Sequence, residues 1–95
     1  MIKHWKHKGL KLFWDAGTTK GIQRGHANRL RDQLAALDAA TGPNDMDFVG
    51  WGCHPLGGNK KGKPKTYAVT VNGNWRLTFE FRDGEAYVVN YKDYH

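Results

Sequence analysis

Two dipeptides, Asn72-Gly73 and Asp83-Gly84, constrain this chain more than any other feature. Each is a hairpin signal, because the tight turns that match strand twist need residues that accept positive φ. The runs they separate alternate or are rich in β-formers, so Thr66–Val71, Trp75–Arg82 and Tyr87–Tyr91 are expected as three consecutive antiparallel strands. Upstream, Met1–Lys8 reads as a short strand or extended lead-in anchored by Ile2 and Trp5. Leu10–Trp14 begins a short helix that Gly17 ends. Arg24–Ala40 is the clearest helix, with Ala27, Leu30, Leu34 and Leu37 at helical spacing and Gly42-Pro43 as its stop. Met46–Leu56 is apolar and irregular, a strand entering a loop, and 57–65 is a basic, mobile loop. At 95 residues the chain makes one domain, 1–95, with a single modest core. Helices followed by strands give an α+β fold: two N-terminal helices packed on a small antiparallel sheet.

The turns also fix side-chain direction. With a two-residue loop at Asp83-Gly84, Arg82 pairs with Glu85 and Arg76 falls opposite Tyr91. Trp75, Leu77, Phe79 and Phe81 then share the face that meets the helices. Arg76, Thr78 and Glu80 take the other face with Tyr91. A last strand that stays extended brings Asp93 and His95 to that same open face. The Asn72 turn has two solutions. A strict two-residue loop sets Val69 and Val71 beside Arg76, while a three-residue loop with a bulge sets them with Trp75 and Leu77. The bulged version buries more apolar surface and is the one expected.

The formal charge of +6 is unevenly spread. Residues 1–14 carry Lys3, Lys6, Lys8 and Lys11 and no acid. Phe48 to Phe79 carries Lys60, Lys61, Lys63, Lys65 and Arg76 and no acid. Those stretches hold +4 and +5, leaving −3 for the remainder. A basic field concentrated this way suits a polyanion, nucleic acid first; the plain alternative is a solvated face that only aids solubility. Cys53 is the only cysteine, so no internal disulfide forms, and Cys53-His54 lacks partners at ligand spacing for zinc. No apolar run spans a membrane and no signal-peptide core opens the chain, so a cytoplasmic protein without membrane contact is expected.

The C-terminal end holds the groups that RNA cleavage needs. The 2′-hydroxyl can attack the adjacent phosphorus without metal or water, given a base, an acid and cations for the phosphorane charge. His95 is the natural acid or base. Arg76 can hold two phosphate oxygens in its planar fork. Asp93 can orient His95 or act as a base, and Tyr94 can stack on a base or donate a hydrogen bond. Lys60, Lys61, Lys63 and Lys65, with Asn74 at the turn, are candidate RNA contacts. Each has a plain reading too: a frayed terminal histidine, an arginine stacked on Trp75, a surface acid, sheet-packing tyrosines, solvated lysines. His26 and His54 read as structural or surface residues. No cofactor and no metal site are expected.

Several stretches carry a family resemblance. Ile2-Lys3-His4-Trp5-Lys6-His7-Lys8-Gly9-Leu10, His54-Pro55-Leu56 followed by Gly58, Val71-Asn72-Gly73-Asn74-Trp75-Arg76-Leu77-Thr78-Phe79, and Asn90-Tyr91-Lys92-Asp93-Tyr94-His95 resemble the HigB toxins of the RelE/ParE superfamily over the whole chain. The resemblance implies a RelE-like microbial ribonuclease fold and a ribosome-dependent mRNA interferase working in the A site. By its pattern Arg76 stabilises the transition state, His95 is acid or base, and Asp93 and Tyr94 belong to the same site. It also implies a helix-turn-helix antitoxin of the HigA type, contact with ribosomal RNA, and contact with operator DNA only through that antitoxin. One position departs: the family usually has lysine directly after His-Pro-Leu, where this chain has Gly57, and its basic loop is longer and contains Pro64. Lys60, Lys61 or Lys63 is left to substitute. The departure implies a weak toxin, or one whose loop orders only on the ribosome. Two rivals remain: a basic RNA- or ribosome-binding module without catalysis, and a ParE-like inhibitor of gyrase.

Overall fold

The computed structural model describes residues 1–57, 62 and 64–94. The first residues run extended alongside the last strand. Lys3 N–H donates to the Ala86 carbonyl at 2.8 Å and Val89 N–H to the His4 carbonyl at 3.1 Å, so Ile2 and Trp5 are anchored as expected. Helix α1 (Lys8–Ala16) begins where the His7 imidazole accepts from Leu10 N–H at 2.9 Å, relieving one orphan donor of the first turn. It ends at Gly17, whose φ of 75° lets its N–H reach back to the Phe13 carbonyl. Gly9 of this helix lies against Gly21. A Cβ on Gly21 would come within 2.5 Å of Gly9 Cα, so only hydrogen fits there.

The second helix is shorter than its periodicity suggested. Residues Arg24–His26 form a 3₁₀ turn, and α2 proper spans Ala27–Ala39. Leu30, Gln33, Leu34 and Leu37 are its buried stripe. Ala40 turns extended before Gly42-Pro43, and a second 3₁₀ turn covers Pro43–Met46. The irregular stretch that follows yields only a two-residue strand, β1 (His54–Pro55). The remaining strands are β2 (Thr66–Asn72), β3 (Trp75–Arg82) and β4 (Glu85–Asp93). All pairs are antiparallel, in the order β1-β2-β3-β4.

Both hairpins contain a bulge. At the first, Thr70 pairs with Arg76 and Asn72 with Trp75, so Val71 is the extra residue. This delivers the expected outcome: Val69 pairs with Leu77, and Val69 and Val71 are buried. The loosened strand is tied on both sides, since Thr70 N–H donates to the Trp51 carbonyl and Gln33 Nε2 donates to the Thr70 carbonyl at 2.8 Å.

The second hairpin corrects the sequence reading. Arg82 pairs with Glu85 across the Asp83-Gly84 turn as expected, and both turn residues have positive φ. The ladder then shifts between Thr78 and Glu80, so Arg76 faces Lys92 and Leu77 faces Tyr91. Val88, with φ of 53°, sits in the bulge. Without it, Asn90 would point into the core and Val89 and Tyr91 out. With it, Val89 is fully buried and Tyr91 is 4% exposed. Burying a valine and an aromatic ring outweighs roughly 1–2 kcal/mol of left-handed strain on one residue. Tyr91 and Asp93 therefore leave the face of Arg76, and Lys92 takes the place expected of Tyr91.

One core joins these elements. Leu10 and Phe13 of α1, Leu30, Leu34 and Leu37 of α2, and Val69, Leu77, Phe79, Val89 and Tyr91 of the sheet belong to a single buried cluster. The other face of the sheet carries Thr66, Thr70, Arg76, Thr78, Glu80, Asn90 and Lys92.

Candidate active site on the open face of the sheet

The open face holds a cleft of about 700 Å³, lined by Lys6, Lys65, Arg82, Lys92 and Tyr94 among others. Four of these five residues are cations from separate parts of the chain: the lead-in, the end of the basic loop, and strands β3 and β4. Glu80 also lines it, paired with Arg82 at 3.0 Å. A cleft so charged, beside an exposed aromatic ring, favours an anionic strand with flat bases.

Arg76 stands at the end of this face, half-buried. Its Nη1 donates to the Gly73 carbonyl at 2.6 Å and the Trp75 carbonyl at 3.1 Å, which pins the guanidinium over the first hairpin turn. Nε and Nη2 are uncommitted among the described residues, so the fork keeps donors for phosphate oxygens. Lys92, its cross-strand neighbour, holds its ammonium 5.6 Å from the centre of the Tyr94 ring. Tyr94 is 39% exposed, and its N–H donates to the Asn74 carbonyl at 2.8 Å. The bond ties the chain end to the turn that carries Arg76. Asn74 thus contributes a backbone acceptor and an exposed side chain beside Arg76.

The structure groups Arg76, Lys92, Tyr94, Asn74 and Lys65 at one side of the molecule. Asp93 pairs with Trp75 and so belongs to the row on the opposite face, next to Tyr91. Lys60, Lys61, Lys63 and His95 lie outside the described residues. The expectation about how the basic loop orders concerns those same positions. Gly57 lines the cleft, and a Cβ there would meet nothing within 4 Å.

Two residues stand out that the sequence did not place at the site, His54 having been read as structural or surface. Lys92 is one, moved to this face by the bulge. His54 is the other. It pairs with Ala68, which pairs with Thr78, which pairs with Asn90, a row that crosses the open face. Its Nδ1 lies 2.8 Å from the Gly52 carbonyl. A carbonyl only accepts, so Nδ1 is the donor of this bond. The His-Pro-Leu run that contains it marked a resemblance but gave no side-chain direction.

Beneath the site lies a knot of aromatic rings. Trp75 stacks on Tyr91 with centroids 4.5 Å apart, and His26 and His7 meet Tyr91 edge-on. Burial pushes the Tyr91 phenol above its ordinary value, and the nearby Asp93 charge adds to the rise. Cys53 is half-buried, its thiol also raised by burial. Among the described residues, no three His, Cys, Asp or Glu side chains gather as metal ligands. No described helix is long and apolar enough to cross a membrane.

Fold and site together define a small basic α+β domain that presents a cationic, aromatic-edged sheet face to a polyanion. The sequence matches, over residues 3–95, the family described as the RelE-like toxin of type II toxin–antitoxin system HigB. It is 43% identical to Endoribonuclease HigB of Proteus vulgaris over 95 residues, which cover 100% of both chains. The chain belongs to the HigB-like toxin family of type II toxin–antitoxin systems.

Proposed function

We propose that this HigB-like endoribonuclease toxin cleaves mRNA in the ribosomal A site and so stops translation. In this reading the two N-terminal helices pack on one sheet face, as in a RelE-like microbial ribonuclease fold, and leave the other face for RNA. The 2′-hydroxyl attacks the adjacent phosphorus, the 5′-oxygen leaves, and a 2′,3′-cyclic phosphate remains. That chemistry requires proton transfer and charge stabilisation but no cofactor. Arg76 holds the non-bridging oxygens. Lys92 adds charge beside it, and Tyr94 stacks on a base or donates to the phosphate. His95 and His54 supply the acid and base. Lys65, with Lys60, Lys61 and Lys63, tracks the RNA and ribosomal RNA, and Asn74 lies at the scissile end.

The observation that carries this reading is the placement of Arg76: pinned by two carbonyls, with Nε and Nη2 uncommitted among the described residues, and paired across the strands with Lys92, which lines the cationic cleft. The cognate partner is a helix-turn-helix antitoxin of the HigA type, through which alone the pair touches operator DNA. The setting is the cytoplasm.

The test compares free mRNA with mRNA on ribosomes that hold an occupied P site and an empty A site. Cleavage only on ribosomes, with a cyclic phosphate end, is expected. Equal cleavage of free RNA rejects ribosome dependence. Tight ribosome binding without cleavage makes the protein a binding module, and inhibition of gyrase instead makes it ParE-like.

A further inference from the structure

Tyr91 lies beneath the site, and its side chain is not among those assigned to the chemistry of phosphate. It is 4% exposed, yet it carries a hydroxyl, and that hydroxyl is fully accounted for. The Gln23 backbone N–H donates to it at 3.3 Å, and His26 Nδ1 lies 2.6 Å away. A buried hydroxyl hydrogen needs an acceptor. His26 Nδ1 is that acceptor, so the imidazole carries its proton on Nε2. Residues 26 and 91 are 65 positions apart, so this bond locks the entrance of α2 to the last strand.

The same two rings grip Trp75. Tyr91 stacks on it at 4.5 Å, and His26 meets it edge-on at 5.7 Å. Trp75 directly precedes Arg76, and Tyr91 directly precedes Lys92, the pair that faces each other on the open side. Asp93 pairs with Trp75, and Tyr94 is bonded to Asn74. One buried cluster therefore sets both strands that carry the site.

We propose that Tyr91 and His26 are positioning residues: their hydrogen bond, with Trp75 packed against both rings, fixes the Lys92–Tyr94 chain end against Arg76. The proposal rests on the reading that this chain end is the active site. The hydroxyl serves alignment of the reacting groups, and its loss leaves RNA and ribosome binding intact.

The test measures single-turnover mRNA cleavage on ribosomes, ribosome affinity, and urea unfolding for the full chain. Tyr91→Phe removes one oxygen and keeps the stacked ring. Tyr91→Phe and His26→Ala should each slow cleavage roughly 10- to 100-fold, the scale of an ångström-sized misplacement, at near wild-type ribosome affinity. The double variant should be no slower than the slower single one. His26→Asn, whose amide oxygen can stand where Nδ1 does, should recover most of the rate lost in His26→Ala. Wild-type cleavage by Tyr91→Phe overturns the proposal. So does a loss that follows ribosome affinity, or His26→Asn no faster than His26→Ala. Arg76→Ala and His95→Ala run beside these. If both cleave at the wild-type rate, the reading of the chain end as the site falls and the positioning role with it. If both lose cleavage while Tyr91→Phe does not, the positioning role alone falls.

Discussion

Val71 and Val88 are the extra residues of the two hairpins, and they sit in opposite circumstances. Val71 is 4% exposed and adds an apolar side chain to the core. Val88 is only half-buried, lines the cleft, and holds a φ of 53° that a β-branched residue rarely adopts. The first bulge is a packing device. The second rotates the strand beyond it, so that Val89 and Tyr91 go into the core and Asn90 and Lys92 to the open face. Strain at one residue thus decides which side chain stands beside Arg76. The lesson is that one local irregularity can serve stability in one hairpin and aim a functional site in the next.

Glycine substitution breaks this comparison most sharply. Val71→Gly loses a buried side chain and gains backbone freedom in the unfolded chain, and should cost about 3 kcal/mol in urea unfolding. Val88→Gly relieves the positive φ and should change stability by no more than about 1 kcal/mol. Similar costs at the two sites would show that the bulges are equivalent.

The bulge also predicts which side chain serves Arg76. Lys92→Ala should slow ribosomal cleavage roughly 10-fold, about 1.4 kcal/mol, with unchanged unfolding. An unaffected rate would mean that the rotation of β4 serves packing alone. A smaller effect is expected at Gly57, where the cleft has room for a side chain. Gly57→Lys, the residue that the family resemblance implies at this position, should raise cleavage several-fold, on the order of 1 kcal/mol. An unchanged rate would mean that the site lacks nothing there.

The smallest effect concerns His7, which caps α1 and packs on Tyr91. Burial holds its imidazole below the ordinary 6.5. The folded state therefore disfavours the charged form, and the contribution of His7 is present above pH 6.5 and lost as pH falls through its lowered value. His7→Asn keeps a capping acceptor without a titration in that range. Its Tm should fall less than that of wild type between neutral pH and about pH 5. Parallel Tm curves would contradict this account.

Much of the fold was legible because its signals are local. Asn72-Gly73, Asp83-Gly84, Gly17 and the Leu30–Leu34–Leu37 stripe each act within a turn or two of the chain. The bulge at Val71 was legible as well, since the alternative left two valines outside. The bulge at Val88 was not, because Tyr87–Tyr91 offers apolar side chains in either register and the contacts of Tyr91 with Trp75 and His26 join distant parts of the chain. Strand β1 is too short for any periodicity. His54 gave no direction from sequence, since an exposed histidine belongs to no pattern. Arg76, Asn74 and Tyr94 were legible as chemistry, and Lys92 was hidden by a one-residue shift.

The central claim is that the chain end facing Arg76 performs the cleavage. The most direct measurement is single-turnover mRNA cleavage on ribosomes by wild type, Arg76→Ala and His95→Ala, each matched for ribosome binding. The account predicts that both variants bind and that each cleaves at least about 100-fold more slowly, a loss of about 2.7 kcal/mol of transition-state stabilisation. Cleavage by both variants at the wild-type rate would contradict it.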